Sequence, residues 1–211
     1  MADTSRTQVD FWFDPLCPWT WMTSRWLTEV ATLREIEIRW HVMSLAVLNE
    51  DKLDQIPQEH REQMGKAWRP VRVLTAVLQK YGNDATGRLY TEFGARFHRD
   101  GTGPTLEAIG GALEAAGLPD DLVEYADSST YDADVRASHQ ASQDAVGEEA
   151  GSPVLAVSGP DGERLGFFGP IAAPIPRGEV AGRLWDAVLL AASVPGFAEL
   201  KRTRTADPVF D

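Results

Sequence analysis

Val9-Asp10-Phe11-Trp12-Phe13-Asp14-Pro15-Leu16-Cys17-Pro18-Trp19-Thr20 is the stretch that decides the fold. Its first half is β-branched and aromatic, the composition of a buried strand. Beyond the proline turn, Trp21, Met22, Trp26, Leu27, Val30 and Leu33 recur at three- and four-residue spacings, which predicts an amphipathic helix. Pro18 suits the first turn of that helix, where its missing amide would have had no partner. Cys17, the only cysteine in 211 residues, therefore stands where a strand gives way to a helix amino terminus. Backbone amides and the helix dipole favour an anion there, which predicts a thiol pKa below the ordinary ~8.5, although Asp14 opposes this if it lies close. Cys17-Pro18-Trp19-Thr20 has the length of a Cys-x-x-Cys turn, with Thr20 where a second cysteine would stand.

Working outward, a second strand follows the helix. Ile36, Ile38, Trp40 and Val42 alternate with Glu37, Arg39, His41 and Met43, so one face is apolar. Strand, helix and strand make a βαβ unit with parallel strands. From Asn49 to about Glu149 the pattern is helical. One helix runs from Pro57 to Lys80 and stops before Gly82; Asp84 to Arg99, Pro104 to Ala116, Asp120 to Ala126 and Asp132 to Glu149 follow, bracketed by Gly, Pro or Asp. Strands return at Val154-Leu155-Ala156-Val157 and Arg164-Leu165-Gly166-Phe167-Phe168, joined through Gly159-Pro160-Asp161-Gly162 as a hairpin. A last helix spans about Gly178 to Ala192, and the polar segment from Lys201 to Asp211 reads as surface-adherent or disordered.

Composition narrows the function classes. Lys and Arg number 20 against 32 Asp and Glu, a net charge of -12, which repels nucleic-acid phosphate. The sequence from Met1 to Arg6 lacks a basic segment followed by an apolar run, and no stretch of 18 apolar residues occurs, so the expectation is a soluble cytoplasmic protein with no membrane partner. A single cysteine cannot close an internal disulfide, which suits a reducing compartment. His41, His60, His98 and His139 are too scattered to suggest a metal site.

The order of elements is that of a thioredoxin-like α/β fold with a large all-helical insertion between the βαβ unit and the C-terminal hairpin plus helix. It resembles the DsbA-like branch that also holds kappa-class glutathione transferases and hydroxychromene carboxylate isomerases. The run Phe11 to Trp19, then Trp26, His41 to Asn49, Gly151-Ser152-Pro153-Val154 and Phe168-Gly169-Pro170 is most similar to the actinobacterial mycothiol-dependent nitroreductase group. The expected division is 1–48 with 150–211 as a discontinuous thioredoxin-like domain and 49–149 as the helical domain.

That resemblance implies a nucleophilic Cys17, a low-molecular-weight thiol, mycothiol, bound at the mouth of the βα turn, and a cis peptide bond before Pro153. Thr20 departs from the group, whose members commonly carry a resolving cysteine there; a monothiol cycle, with Cys17 released by a second small thiol, is the chemistry left. A lone cysteine is more often a small buried hydrophobe than a nucleophile, and its place at the strand-to-helix junction is what reverses that weighting. Pro18 and Trp19 form the turn's outer part, Trp19 as a stacking surface for a flat substrate or as packing beneath the loop. A cis bond at Ser152 would turn its backbone towards Cys17, to pair with a thiol substrate like an added strand. Asn49 is either a ligand contact between lobes or a helix cap. His98-Arg99-Asp100 complements a helix end and stays outside the proposed site. The functions compared are a thiol-dependent oxidoreductase acting on disulfides or electrophilic, nitroaromatic small molecules, a kappa-like transferase or isomerase in which the cofactor sulfur attacks, and a binding protein without turnover. Members of the branch often pair as homodimers, but no heptad or long apolar stripe specifies one here.

Overall fold

The computed structural model describes residues 6–51, 58–147, 150–159 and 162–210, with side chains from residue 65 in the second stretch. Four strands, β1 (Thr7–Phe13), β2 (Ile36–Val42), β3 (Val154–Ser158) and β4 (Arg164–Phe168), form one sheet in the order β2-β1-β3-β4. β1 is parallel to β2 and antiparallel to β3, which is antiparallel to β4. Parallel pairing of β1 and β2 requires a crossover, and α1 (Pro18–Val30) supplies it. The last helix, α6 (Gly178–Ser193), lies beside α1: Trp26 donates its indole N–H to Ala181 O at 3.1 Å and packs against Trp185 at 6.1 Å between rings.

The intervening region is helical among its described residues. A short α2 (Leu45–Leu48) precedes α3 (Gln58–Gly94), in which Gly82, at φ 79° and ψ -172°, breaks the helix where the sequence placed a stop. Positive φ costs a glycine nothing, so the chain turns there without strain. A π-helical turn (Ala95–Arg99), α4 (Leu106–Ala115), a 3-10 segment (Asp120–Asp127) and α5 (Asp132–Val146) complete it. Pro57 and Glu149, the expected opening and closing residues of two of these helices, lie outside the described residues.

Period-two alternation sends β1 to two cores. Phe11 and Phe13 face α1 and α3, where Phe13 stacks on Tyr90 at 3.9 Å and meets Trp40 edge-on; this core continues to Ile109, Leu113 and Val135 of the insertion. Trp12 points to the opposite face, with Met43, Val154 and Ala156, under Ala145 and Val146 of α5. Beside it Asp10 holds His41 at 2.7 Å and Arg164 at 2.8 Å, a polar clasp across three strands. No helix among the described residues is long and apolar enough to cross a membrane.

Candidate active site

β1 ends at Phe13 and the chain turns sharply, with Cys17 N–H donating to Asp14 O at 3.1 Å. The buried Asp14 carboxylate fixes this turn. It accepts Leu16 N–H at 2.8 Å and Leu45 N–H at 2.7 Å, which ties the Cys17 loop to the chain leaving β2. Burial raises the Asp14 pKa to about 6 against the lowering effect of the Leu45 and Leu16 amides. Cys17 is the N-cap of α1 in an extended conformation, φ -82° and ψ 112°, and Pro18 opens the helix.

Across from this turn the Ser152–Pro153 peptide bond is cis. Cys17 Sγ lies 3.6 Å from Ser152 O, and Ser152 Oγ accepts Asp14 N–H at 3.0 Å while sharing a 2.6 Å hydrogen bond with Thr20 Oγ1. Antiparallel pairing of β1 with β3, Trp12 opposite Val154, delivers Ser152 to this place. Cys17, Thr20, Asp14 and Ser152 are all buried, and together they make a hydrogen-bonded inner wall.

The expectation of an acidified thiol is corrected by this burial. Cys17 is 8 % exposed, and desolvation pushes its pKa up. The Thr20 hydroxyl and the amides of Thr20 and Trp19 pull the other way, the Asp14 charge adds to the rise, and the net direction is upward. A helix amino terminus stabilises an anion only as far as water or donors replace the hydration the sulfur has lost.

The outer side of the turn has a different chemistry. Trp19 is half-buried, and the Arg204 guanidinium lies 5.0 Å from its ring centroid. His98, in the π-helical turn, donates its Nε2 hydrogen to Pro15 O at 3.0 Å, and Phe210 stacks on the imidazole at 5.5 Å. Burial lowers the His98 pKa to about 4 against the raising effect of the Pro15 carbonyl, so the ring is neutral at pH 7. Trp21 also meets this imidazole, and its indole lies so close to Gly94 that a Cβ there would overlap the ring. The sequence reading named His98 but kept it outside the site, and it missed Arg204 and Phe210: the segment expected only to adhere to the surface or be disordered makes two contacts, with Trp19 and His98.

Asn49 caps α2, its amide nitrogen donating to Leu45 O at 2.7 Å, so that donor is spent within its own turn. Pro18 serves the helix start and Pro153 leads into β3. Among the described residues no group of three or more His, Cys, Asp or Glu is placed to hold a metal ion. A groove of about 880 Å³ between α4 and the 3-10 segment contains none of the thiol-site residues.

A profile of the Rv2466c-like proteins, described as mycothiol-dependent nitroreductase Rv2466c, matches residues 16–202. The chain belongs to the Rv2466c-like, mycothiol-dependent nitroreductase family. The chain is 34 % identical over 202 residues to an uncharacterized protein of Mycobacterium tuberculosis, Rv2286c, over 94 % of this chain and 83 % of that one. Among solved structures, the cytosolic disulfide reductase DsbM of Pseudomonas aeruginosa superposes with a TM-score of 0.59 at 13 % identity, over 87 % of this chain and 98 % of that one. The probable DsbA oxidoreductase SCO1869 of Streptomyces coelicolor gives 0.58 at 17 % identity, over 96 % and 94 %. A 2-hydroxychromene-2-carboxylate isomerase gives 0.54 at 17 % identity, over 86 % and 92 %. At these identities the three structures establish the architecture: this family member has a DsbA-like thioredoxin fold with a helical insertion.

Proposed function

We propose that this protein is a monothiol oxidoreductase in which Cys17 exchanges with small disulfides or reacts with electrophilic, nitroaromatic molecules, and mycothiol is the reductant. The observation that carries this reading is the contact between Cys17 Sγ and Ser152 O beside the Thr20–Ser152 hydroxyl pair. Family membership names the thiol. The polar groups beside the sulfur, the Ser152 carbonyl and the paired hydroxyls of Thr20 and Ser152, suit a small thiol that recognises its site through hydrogen bonds. Residues 49–149 are proposed as the lobe that selects substrates, and localisation in the cytoplasm is proposed with the reducing chemistry.

Cys17 must first lose its proton, which burial makes costly and the Thr20 hydroxyl with the first-turn amides makes cheaper. The thiolate then attacks one sulfur of a disulfide; a Cys17–S bond forms, the substrate S–S bond breaks, and the second sulfur departs as a thiolate that takes up a proton. A small thiol attacks the mixed disulfide, its sulfur bonds to the substrate sulfur, and Cys17 leaves and is reprotonated. Thr20 has no sulfur to perform this second step from within, so the external thiol is required in every cycle.

A kappa-like reading, in which the small thiol itself attacks and Cys17 only hydrogen-bonds to it, is favoured by the upward push on the Cys17 pKa. Mycothiol-dependent turnover of a disulfide and of a nitroaromatic by Cys17→Ser separates the two. Loss of turnover by several orders of magnitude supports the first reading, as removal of a nucleophile does elsewhere. Turnover within about ten-fold of the parent supports the second.

A further inference from the structure

Trp19 is two residues from Cys17, and its indole face is the flat surface closest in sequence to the thiol. That face carries Arg204. Several arginines, Arg34, Arg72 and Arg136 among them, are clamped on carboxylates, whereas Arg25 lies over the Trp21 ring. Arg204 has no carboxylate partner among the described residues, although the chain bears 32 Asp and Glu against 20 Lys and Arg. Its guanidinium is spent on an aromatic ring and keeps its edge donors for another acceptor. The segment is pinned a second time by Phe210 on His98, and His98 is hydrogen-bonded to Pro15 within the thiol loop. Residues 204–210 therefore run from Trp19 of the Cys17 turn to the π-helical turn and hold a cation on the indole of that turn in an otherwise acidic protein.

We propose that Arg204 is a specificity-determining residue of the thiol site, selecting aromatic acceptors that carry a negative charge, such as a carboxylate. The indole offers stacking to the ring of such a molecule, and the guanidinium offers a paired hydrogen bond to its anionic group. The net charge of -12 disfavours approach of an anion, and Arg204 offsets that field locally at this face. The inference rests on the reading of Cys17 as the exchanging thiol and adds the charge of its substrate.

The test uses the full chain, reduced, with two aromatic disulfides: dithiobis(nitrobenzoate), which is dianionic, and dithiodipyridine, which is neutral. Each reacts by the same step, in which the Cys17 thiolate bonds to one sulfur and expels a coloured aryl thiolate or its thione. With one cysteine present, the colour reports Cys17 alone. Arg204→Gln should slow the dianionic probe by about five-fold, the worth of one unit charge a few ångströms away in a water-exposed site, and leave the neutral probe within about two-fold. Arg204→Lys should recover most of the loss. Added salt should slow the dianionic reaction of the parent and not that of Arg204→Gln. Equal effects on both probes, or none on the dianionic one, would overturn the assignment while leaving Cys17 as the nucleophile. Failure of both probes to react with the parent would remove the nucleophile reading itself, and this proposal with it.

Discussion

The two sides of Cys17 are built from different materials. On the inner side, Asp14, Thr20 and Ser152 are buried and joined by hydrogen bonds of 2.6 and 3.0 Å. On the outer side, Trp19, His98, Arg204 and Phe210 meet mainly through ring faces 5.0 and 5.5 Å apart, and Arg204 is exposed. Buried polar groups that satisfy one another are expensive to disturb, whereas exposed stacking contacts are exchanged at little cost. The inner wall therefore sets the position and protonation of the sulfur, and the outer wall is free to decide what approaches it.

The largest expected contrast is in stability. Ser152→Ala leaves the Asp14 amide and the Thr20 hydroxyl without their partner in a buried site, a loss of about 2–3 kcal/mol. Arg204→Ala, on the exposed face, should change stability by no more than about 0.5 kcal/mol. Urea unfolding of the two variants checks this, and similar losses would erase the distinction between the walls.

A second contrast lies in pH dependence, because Asp14 and His98 shift in ways of opposite sign. His98, lowered to about 4 by burial, is neutral when folded, so its contribution is present above the unfolded pKa near 6.5 and is lost as pH falls towards 4. Asp14, raised to about 6, carries a penalty that is full above pH 6 and is relieved as pH falls towards 3.8. The two largely offset one another in the parent. His98→Gln removes one of them and retains a donor for Pro15 O, so relative to the parent it should gain about 2 kcal/mol between pH 7 and pH 4.5. Parallel stability curves for parent and variant would show that His98 takes up its proton as readily folded as unfolded, against the burial effect.

A smaller effect concerns Thr20, whose hydroxyl favours the Cys17 anion and pairs with Ser152. Thr20→Val should cost about 1 kcal/mol in stability and move the alkylation midpoint of Cys17 upward. Thr20→Cys sharpens the comparison from the same position. The two sulfurs on one helical turn should close a disulfide on oxidation, leaving no titratable thiol, and two free thiols would contradict thioredoxin geometry at the turn.

The inner wall was legible in the sequence and the outer one was not, for a physical reason. Alternation in Ile36–Val42 and the run Val9–Phe13 specify strands, the Gly82 stop is a local backbone preference, and the resemblance brought Ser152-Pro153 to Cys17. Arg204 and Phe210, by contrast, reach Trp19 and His98 from more than a hundred residues away, in a segment with no period and no turn signal, so no local rule pairs them. The direction of the Cys17 pKa was misjudged for a related reason. Position at a helix start is written locally, but burial depends on contacts such as that with Ser152, 135 residues away, which only the folded chain assembles.

Intact-protein mass spectrometry after incubation with mycothiol disulfide tests the central claim most directly. The parent should gain the mass of one mycothiol, located on Cys17, and lose it again when reduced mycothiol is added in excess, while Cys17→Ser should gain nothing. A parent protein that stays unmodified under these conditions, while still turning over substrate with mycothiol, would contradict Cys17 as the exchanging thiol.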